Sequence, residues 1–311
     1  VASNQIAFVF PGQGSQYVGM GKDLCDTFDA AKKVFADADD ALGFRLSEVC
    51  FSGPEADLKL TENTQPAILT ASIAALRVLE SETPLRPAFV AGHSLGEYSA
   101  LVAAGALEFR DAVKVVRERG RLMQQAVPAG EGAMAVVLGL EMDAVSALCE
   151  DAAQGEVVSP ANFNGSGQVA IAGAKRAVAR AMALAKERGA KRVLDLPVSA
   201  PFHCQLMQPA ADGLEKILHS VVVRPFDVGV VTNVEADVNR DTGRVKPLLI
   251  EQAVRPVRWE ESVKKLAALG CRRAVEVGPG KVLKGLMKRI APAMEVENFE
   301  APADLSKMAA A

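Results

Sequence analysis

Val90-Ala91-Gly92-His93-Ser94-Leu95-Gly96-Glu97-Tyr98 compresses a strand, a sharp turn and a helix into one short stretch. The apolar run 88–91 predicts a buried strand, and 97–104 the start of a helix. Between them, Gly92-His93-Ser94-Leu95-Gly96 has the G-x-S-x-G spacing of a nucleophile elbow. A serine on so tight a turn is held in a strained backbone conformation that presents its hydroxyl. The positions two residues either side must be nearly free of side chain for strand and helix to approach, and both are glycine. The helix N-terminus then directs unpaired N–H groups at negative charge forming beside Ser94. The alternative is a glycine-rich loop with a solvated serine.

Upstream, residues 6–10 predict an apolar strand ending in Pro11-Gly12-Gln13-Gly14-Ser15-Gln16. A glycine-rich turn directly after a strand lets backbone N–H groups approach a ligand. No Gly-Lys-Ser/Thr follows, which excludes a phosphate loop and leaves a plain strand-to-helix turn as the alternative. Helical pieces are expected between Tyr17 and Ala41, and a loop near Ser52-Gly53-Pro54. Asn63-Thr64-Gln65-Pro66 reads as a helix start, the helix running to about Glu82 before Pro84 and Pro87 break it. Strand, helix, strand, helix is the order of a parallel sheet with helices on both faces.

The next helix is expected over 109–127. At about 100° per residue, Ala112, Val115, Val116, Met123 and Ala126 share one arc, and Lys114, Arg117, Glu118, Arg121 and Gln125 the opposite one. Arg119 falls inside the apolar arc. A guanidinium on a buried face is costly unless paired, so it requires a carboxylate from the protein or from a ligand. A structural ion pair satisfies that requirement as well as a ligand does.

After the linker 128–132 the pattern changes. Strands at 133–140, 157–163, 168–172 and 192–198 and helices at 142–153 and 175–188 follow in the order βαββαβ, that of a ferredoxin-like module. The expected fold is therefore an α/β, hydrolase-like parallel-sheet domain from residues 1–128 and 199–311, with a ferredoxin-like subdomain, 129–198, inserted. A substrate cleft between the two is the natural expectation. The chain returns through Ser199-Ala200-Pro201-Phe202-His203-Cys204, which puts His203 in a loop just after a strand, a position that suits a general base. Only three histidines exist, so the search is narrow. His219 reads as surface, and His93, beside the serine in a tight turn, is expected to point away from it. Further strands are expected at 227–233 and 274–277 and a helix at 281–290, with a loose Ala/Pro-rich tail from Ala291.

The bulk properties exclude several classes. Half of the 311 residues are hydrophobic, enough for an ample α/β core. A net charge of −3 gives no reason to expect nucleic acid or an anionic membrane as partner. The five cysteines are scattered without a C-x-x-C pair, as free thiols in a reducing compartment would be. The chain opens straight into a strand and shows neither a leader nor a membrane span, so the expected location is the cytoplasm, or the plastid stroma for a processed plant protein.

Gly-Gln-Gly-Ser-Gln, Gly-His-Ser-Leu-Gly, the arginine on the following helix, Asn-Phe-Asn, Pro-Phe-His-Cys and Glu-Val-Gly-Pro-Gly occur in this order. With these motifs the chain resembles the malonyl-CoA:acyl-carrier-protein transacylases of bacterial-type fatty acid synthesis over about 6–290. The resemblance implies ping-pong transfer of malonyl from malonyl-CoA to the phosphopantetheine thiol of acyl carrier protein through a malonyl-serine. Ser94 is then the nucleophile and His203 the base. The backbone N–H groups of Gln13 and Leu95 form the oxyanion hole. Gln252 orients His203 through its backbone carbonyl, a role that requires no glutamine side chain, and Arg119 pairs with the malonate carboxylate. Asn162 and Phe202 are implied near the substrate. In related polyketide acyltransferases Phe before the histidine accompanies malonyl, and Ser methylmalonyl. No metal and no cofactor are expected, and the protein is expected to be monomeric. Lys281, Lys284 and Lys288 share a helix stripe and are candidates for docking an acidic carrier, an ordinary solvated face being the alternative. Two other functions compete: a thioesterase or esterase using the same pair with water, for which Asp195 could serve as the acidic member, and a catalytically silent carrier-binding module.

Overall fold

The computed structural model describes residues 5–198 and 200–308. Ser199, where the main domain is expected to resume, lies outside the described residues. The described strands are β1 (Gln5–Phe10), β2 (Phe89–Gly92), β3 (Gly132–Leu138), β4 (Val158–Phe163), β5 (Gln168–Ala174), β6 (Arg192–Asp195), β7 (Gly229–Val231), β8 (Val238–Asn239), β9 (Cys271–Val277) and β10 (Glu295–Phe299). They form two sheets, ordered β10-β9-β1-β2-β7-β8 and β4-β5-β3-β6. The first is parallel except for the terminal β8, which pairs antiparallel with β7. The second is antiparallel throughout, the strand order of a ferredoxin-like module.

Period-two alternation explains why the large sheet is buried on both faces. Phe8 and Phe10 of β1 pack with Val90, Val275 and the long helix Thr61–Glu82, whereas Ala7 and Val9 pack with Ala91, Ala274 and Trp259 on the other side. In the small sheet Ala135, Val137 and Ile171 face the helices Met142–Ala153 and Lys175–Glu187. Met134, Ala170 and Ala172 on its opposite face join a core with Met123, Phe202 and Cys204. Backbone also ties β4 of the small sheet to the segment before Trp259: Val257 N–H donates to Ala161 O at 2.9 Å, and Phe163 N–H to Val257 O at 2.9 Å.

Four expectations need correction. The tail is not loose. Residues 295–299 form β10, paired with β9, with Val296 and Phe299 buried; the Ala/Pro composition around this strand masks it. The helix expected to start at Asn63 starts at Thr61, because the Leu60 carbonyl already accepts the Asn63 and Thr64 N–H groups. Pro66 therefore lies inside the helix rather than in its first turn. The strand expected over 227–233 is restricted to Gly229–Val231, and the one over 192–198 ends at Asp195.

Register positions the site. Phe10 lies opposite Gly92, so the loops leaving β1 and β2 emerge side by side at the carboxyl end of the sheet, where open α/β sheets bind ligands. The elbow is packed to its steric limit. A Cβ on Gly92 would stand 1.9 Å from the Gly96 carbonyl carbon and oxygen, and one on Gly96 would stand 2.1 Å from Phe10 O. Neither clash can be relieved by a side-chain rotation. Gly92→Ala is therefore expected to destabilise the fold by about 1–3 kcal/mol or more through overpacking, with activity lost. Thermal denaturation checks this, and a wild-type midpoint would contradict it.

Candidate active site

The turn after β2 holds Ser94 at φ 52°, a left-handed conformation uncommon for a residue with a side chain. His203 is also in that region, at φ 61°. The two meet: Ser94 Oγ and His203 Nε2 are 2.7 Å apart. His203 Nδ1 lies 2.7 Å from the backbone carbonyl of Gln252, which can accept a hydrogen bond but not donate one. The Nδ1 proton is thereby fixed, leaving the Nε2 lone pair to face the serine hydroxyl. Asp195, the acidic residue a hydrolase reading requires, is exposed on β6 and paired with Ala135.

Arg119 extends from the helix Phe109–Gln125 into the same hollow and is 2 % exposed. No protein carboxylate hydrogen-bonds it among the described residues. Its Nη1 donates to Gln65 Oε1 at 2.7 Å, and its Nη2 to Gln252 Oε1 at 2.8 Å and to Ser94 Oγ at 3.2 Å. Its Nε is buried without a partner. Periodicity thus places the guanidinium on the buried face, but its protein partners are two neutral amides and the serine hydroxyl. Burial lowers its pKa, against the neighbouring Tyr98 and Glu97, which raise it, yet a guanidinium remains protonated.

A cavity of about 120 Å³ connects these groups. Gln13, Leu95, Asn162 and Phe202 line it, along with Met123, Met134 and Val198. The backbone N–H groups of Gln13 and Leu95 donate no hydrogen bond among the described residues. Asn162 enters from an irregularity in β4, where the register with β5 shifts. His93 points away from the hydroxyl, with its Nε2 2.9 Å from Asn164 Oδ1. His219 is exposed, as are Lys281 and Lys288, whereas Lys284 is half-buried.

Three residues of the site have no local sequence signal. Asn233 follows β7 and clamps the elbow: its Oδ1 accepts from Ser94 N at 2.7 Å, and its Nδ2 donates to Gly92 O at 2.6 Å. Gln65 is a buried amide near the start of the helix Thr61–Glu82, among other buried polar residues such as Thr64 and Thr70. Glu97 is a buried carboxylate, accepting from Gln252 Nε2 at 2.7 Å and from Asn233 N at 3.1 Å. A polar residue at the end of a buried parallel strand is the one hint that favours Asn233.

The fold and this geometry define a class: a hydrolase-like α/β protein with a serine–histidine pair and a buried cation at one small cavity. The chain belongs to the acyl transferase family, whose domain model matches residues 7–301. It is 51 % identical over 288 residues to the malonyl CoA-acyl carrier protein transacylase of Bacillus subtilis, covering 92 % of this chain and 90 % of that one. The crystal structure of an acyl carrier protein S-malonyltransferase from Vibrio cholerae superposes with a TM-score of 0.96 at 51 % identity, over 98 % of this chain and 99 % of that one. A malonyl-transacylase in complex with its type II PKS acyl-carrier protein gives a TM-score of 0.95 at 45 % identity, over 97 % of this chain and 98 % of that one.

Burial, followed by the positive charge of Arg119, pushes the His203 pKa down to about 3. The free enzyme therefore keeps a neutral imidazole well below the ordinary histidine value. The kcat/KM for the acyl donor is expected to show no acid inflection near pH 6.5. Arg119→Met removes one cause of the depression, so its acid limb should move to higher pH. A wild-type profile bending near the ordinary histidine value would contradict this.

Proposed function

We propose that the protein transfers a malonyl group from malonyl-CoA to the phosphopantetheine thiol of an acyl carrier protein, through a malonyl-Ser94 intermediate. The observation that carries this reading is Arg119: a buried cation without a carboxylate hydrogen-bonded to it, 3.2 Å from the serine oxygen. A site for a neutral acyl chain gains nothing from such a charge, whereas an acyl group ending in a carboxylate repays its desolvation.

Ser94 O–H gives its proton to His203 Nε2 as Oγ attacks the thioester carbonyl. The tetrahedral oxyanion is held by the N–H groups of Gln13 and Leu95, and its collapse expels the thiolate of coenzyme A, which takes the proton from His203. The carrier thiol then enters, loses its proton to the same imidazole and attacks the malonyl-serine carbonyl; the second tetrahedral intermediate collapses by breaking the bond to Ser94 Oγ, which takes the proton back from His203 as the malonyl-carrier thioester leaves. Throughout, the Gln252 carbonyl holds the imidazole in the required tautomer. Asn162 and Phe202 bound the acyl group. Every role is filled by the chain, so no cofactor or metal is needed. The carrier partner is supported by the names of the relatives and by the carrier complex of one structural neighbour. Among the described residues no helix is long and apolar enough to cross a membrane. We assign the work to the cytoplasm, by a monomer.

Incubation with malonyl-CoA, with and without phosphopantetheinylated carrier protein, tests the reading. Coenzyme A release beyond a single turnover should require the carrier, and mass spectrometry should find malonyl on Ser94. Equal turnover without carrier would make the protein a hydrolase instead, and no acyl-serine would make it a binding module. Arg119→Ala should lower malonyl kcat/KM by about 10²-fold or more while sparing or easing acetyl transfer; an unchanged malonyl-to-acetyl ratio would remove Arg119 from the recognition of the acyl group.

A further inference from the structure

The proposed acyl recognition rests on Arg119, and the structure raises the question of what aims it. Gln252 is fully buried, and its side chain is used on every side. Its Nε2 donates to Ser94 O at 3.0 Å and to Glu97 Oε2 at 2.7 Å, and its Oε1 accepts from Arg119 Nη2 at 2.8 Å. The orientation of this carboxamide is dictated by chemistry. A carbonyl and a carboxylate can only accept, so nitrogen must face them; a guanidinium can only donate, so oxygen must face it. Exchanging the two ends would set acceptor against acceptor and donor against donor.

Glu97 is the fixed end of this chain. It lies in the first turn of the helix Gly96–Ala103, is 2 % exposed, and is held by the backbone N–H of Asn233 at 3.1 Å. Asn233 in turn spans the elbow from Gly92 O to Ser94 N. Glu97 therefore moves with the serine. Burial pushes its pKa up to about 7, against the hydrogen bonds from Gln252 and Asn233 and the charge of Arg119, and its ionised form in turn favours the buried guanidinium. It touches neither the serine hydroxyl nor His203 within hydrogen-bond distance.

We propose that Glu97 is a positioning residue for Arg119. Acting through the Gln252 carboxamide, it registers the guanidinium against the serine elbow and so contributes to selection of acyl groups that end in a carboxylate. This rests on the function proposed above. It goes beyond the backbone role of Gln252, because it gives that side chain a task and extends the recognition apparatus to a residue outside the substrate cavity.

The test compares malonyl and acetyl transfer in wild type, Glu97→Ala, Glu97→Gln, Gln252→Leu and the double variant Glu97→Ala/Gln252→Leu. Glu97→Ala should lower the malonyl-to-acetyl ratio of kcat/KM by about tenfold or more, chiefly through a raised malonyl KM. Glu97→Gln keeps an acceptor for Gln252 Nε2 and should recover most of the ratio. Gln252→Leu cuts the same connection, so the ratio in the double variant should fall no further than in the worse single one. Equal losses for both acyl donors, no recovery in Glu97→Gln, or additive losses in the double variant would each overturn the proposal and leave Glu97 as a packing residue. If Glu97→Ala does not fold, the Glu97→Gln ratio and the Gln252→Leu KM decide it: an unchanged malonyl KM in Gln252→Leu overturns it. The wild-type ratio tests the proposed acyl group, and its change on substitution tests Glu97, so the two fail separately.

Discussion

The contact on which this molecule depends is between two backbones. The end of β2 and the start of the helix after it approach so closely at Gly92 and Gly96 that a single Cβ at either would collide with main-chain atoms. Closure that tight forces Ser94 into a left-handed conformation, which costs on the order of 1–3 kcal/mol and persists only where the surroundings over-determine it. Here they do. Asn233 bonds the turn on both sides, Gln252 bonds the Ser94 carbonyl, and the loop after β1 is wedged beside it, where a Cβ on Gly12 would stand 2.4 Å from His93 O. Stability invested in the elbow is what presents the hydroxyl.

Set against this rigid turn is a group with no comparable compensation. Burying an ion costs several kcal/mol after relaxation, and Arg119 recovers part of that from amide oxygens without being neutralised by a direct carboxylate contact. Its charge also weighs on the serine–histidine pair: it helps hold His203 neutral and stands 3.2 Å from Ser94 Oγ. One cation without a carboxylate partner among the described residues thus serves, in the proposed reaction, the acyl carboxylate, the nucleophile and the base, and that shared use accounts for keeping a group that lowers stability.

What was legible in the sequence was what is local. The elbow is written in five residues because the approach of Gly92 to Gly96 is set within that span, although the same turn is also pressed against the loop after β1. Arg119 stands out because a charge at an apolar helical position is visible from periodicity alone, and His203 because only three histidines compete for the role. The side-chain partners that hold these groups were not legible; Gln252 entered only through the family resemblance, and only for its backbone carbonyl. Asn233 reaches Ser94 across 139 positions and Gln252 reaches Glu97 across 155; no window along the chain spans such pairs. The amide partners of Arg119, Gln65 and Gln252, were hidden in the same way, since a charge at an apolar helical position points only to a carboxylate from the protein or a ligand. The strand β10 was hidden for a related reason: charged and polar residues interrupt its apolar ones, and its pairing with β9 is a tertiary fact.

The same network explains why a backbone carbonyl, rather than a carboxylate, orients His203. Gln252 bonds the imidazole through its main chain and Arg119 through its side chain. A carboxylate at the imidazole would lie within reach of the guanidinium that neighbours it, and the two would pair. That pairing would neutralise the cation and, by stabilising the imidazolium, raise the histidine pKa. A neutral carbonyl fixes the tautomer without supplying a charge. The cost is a less stabilised imidazolium during transfer, and the gain is a cation left free for the acyl group. In a serine hydrolase with no such cation to protect, the balance would favour the acid.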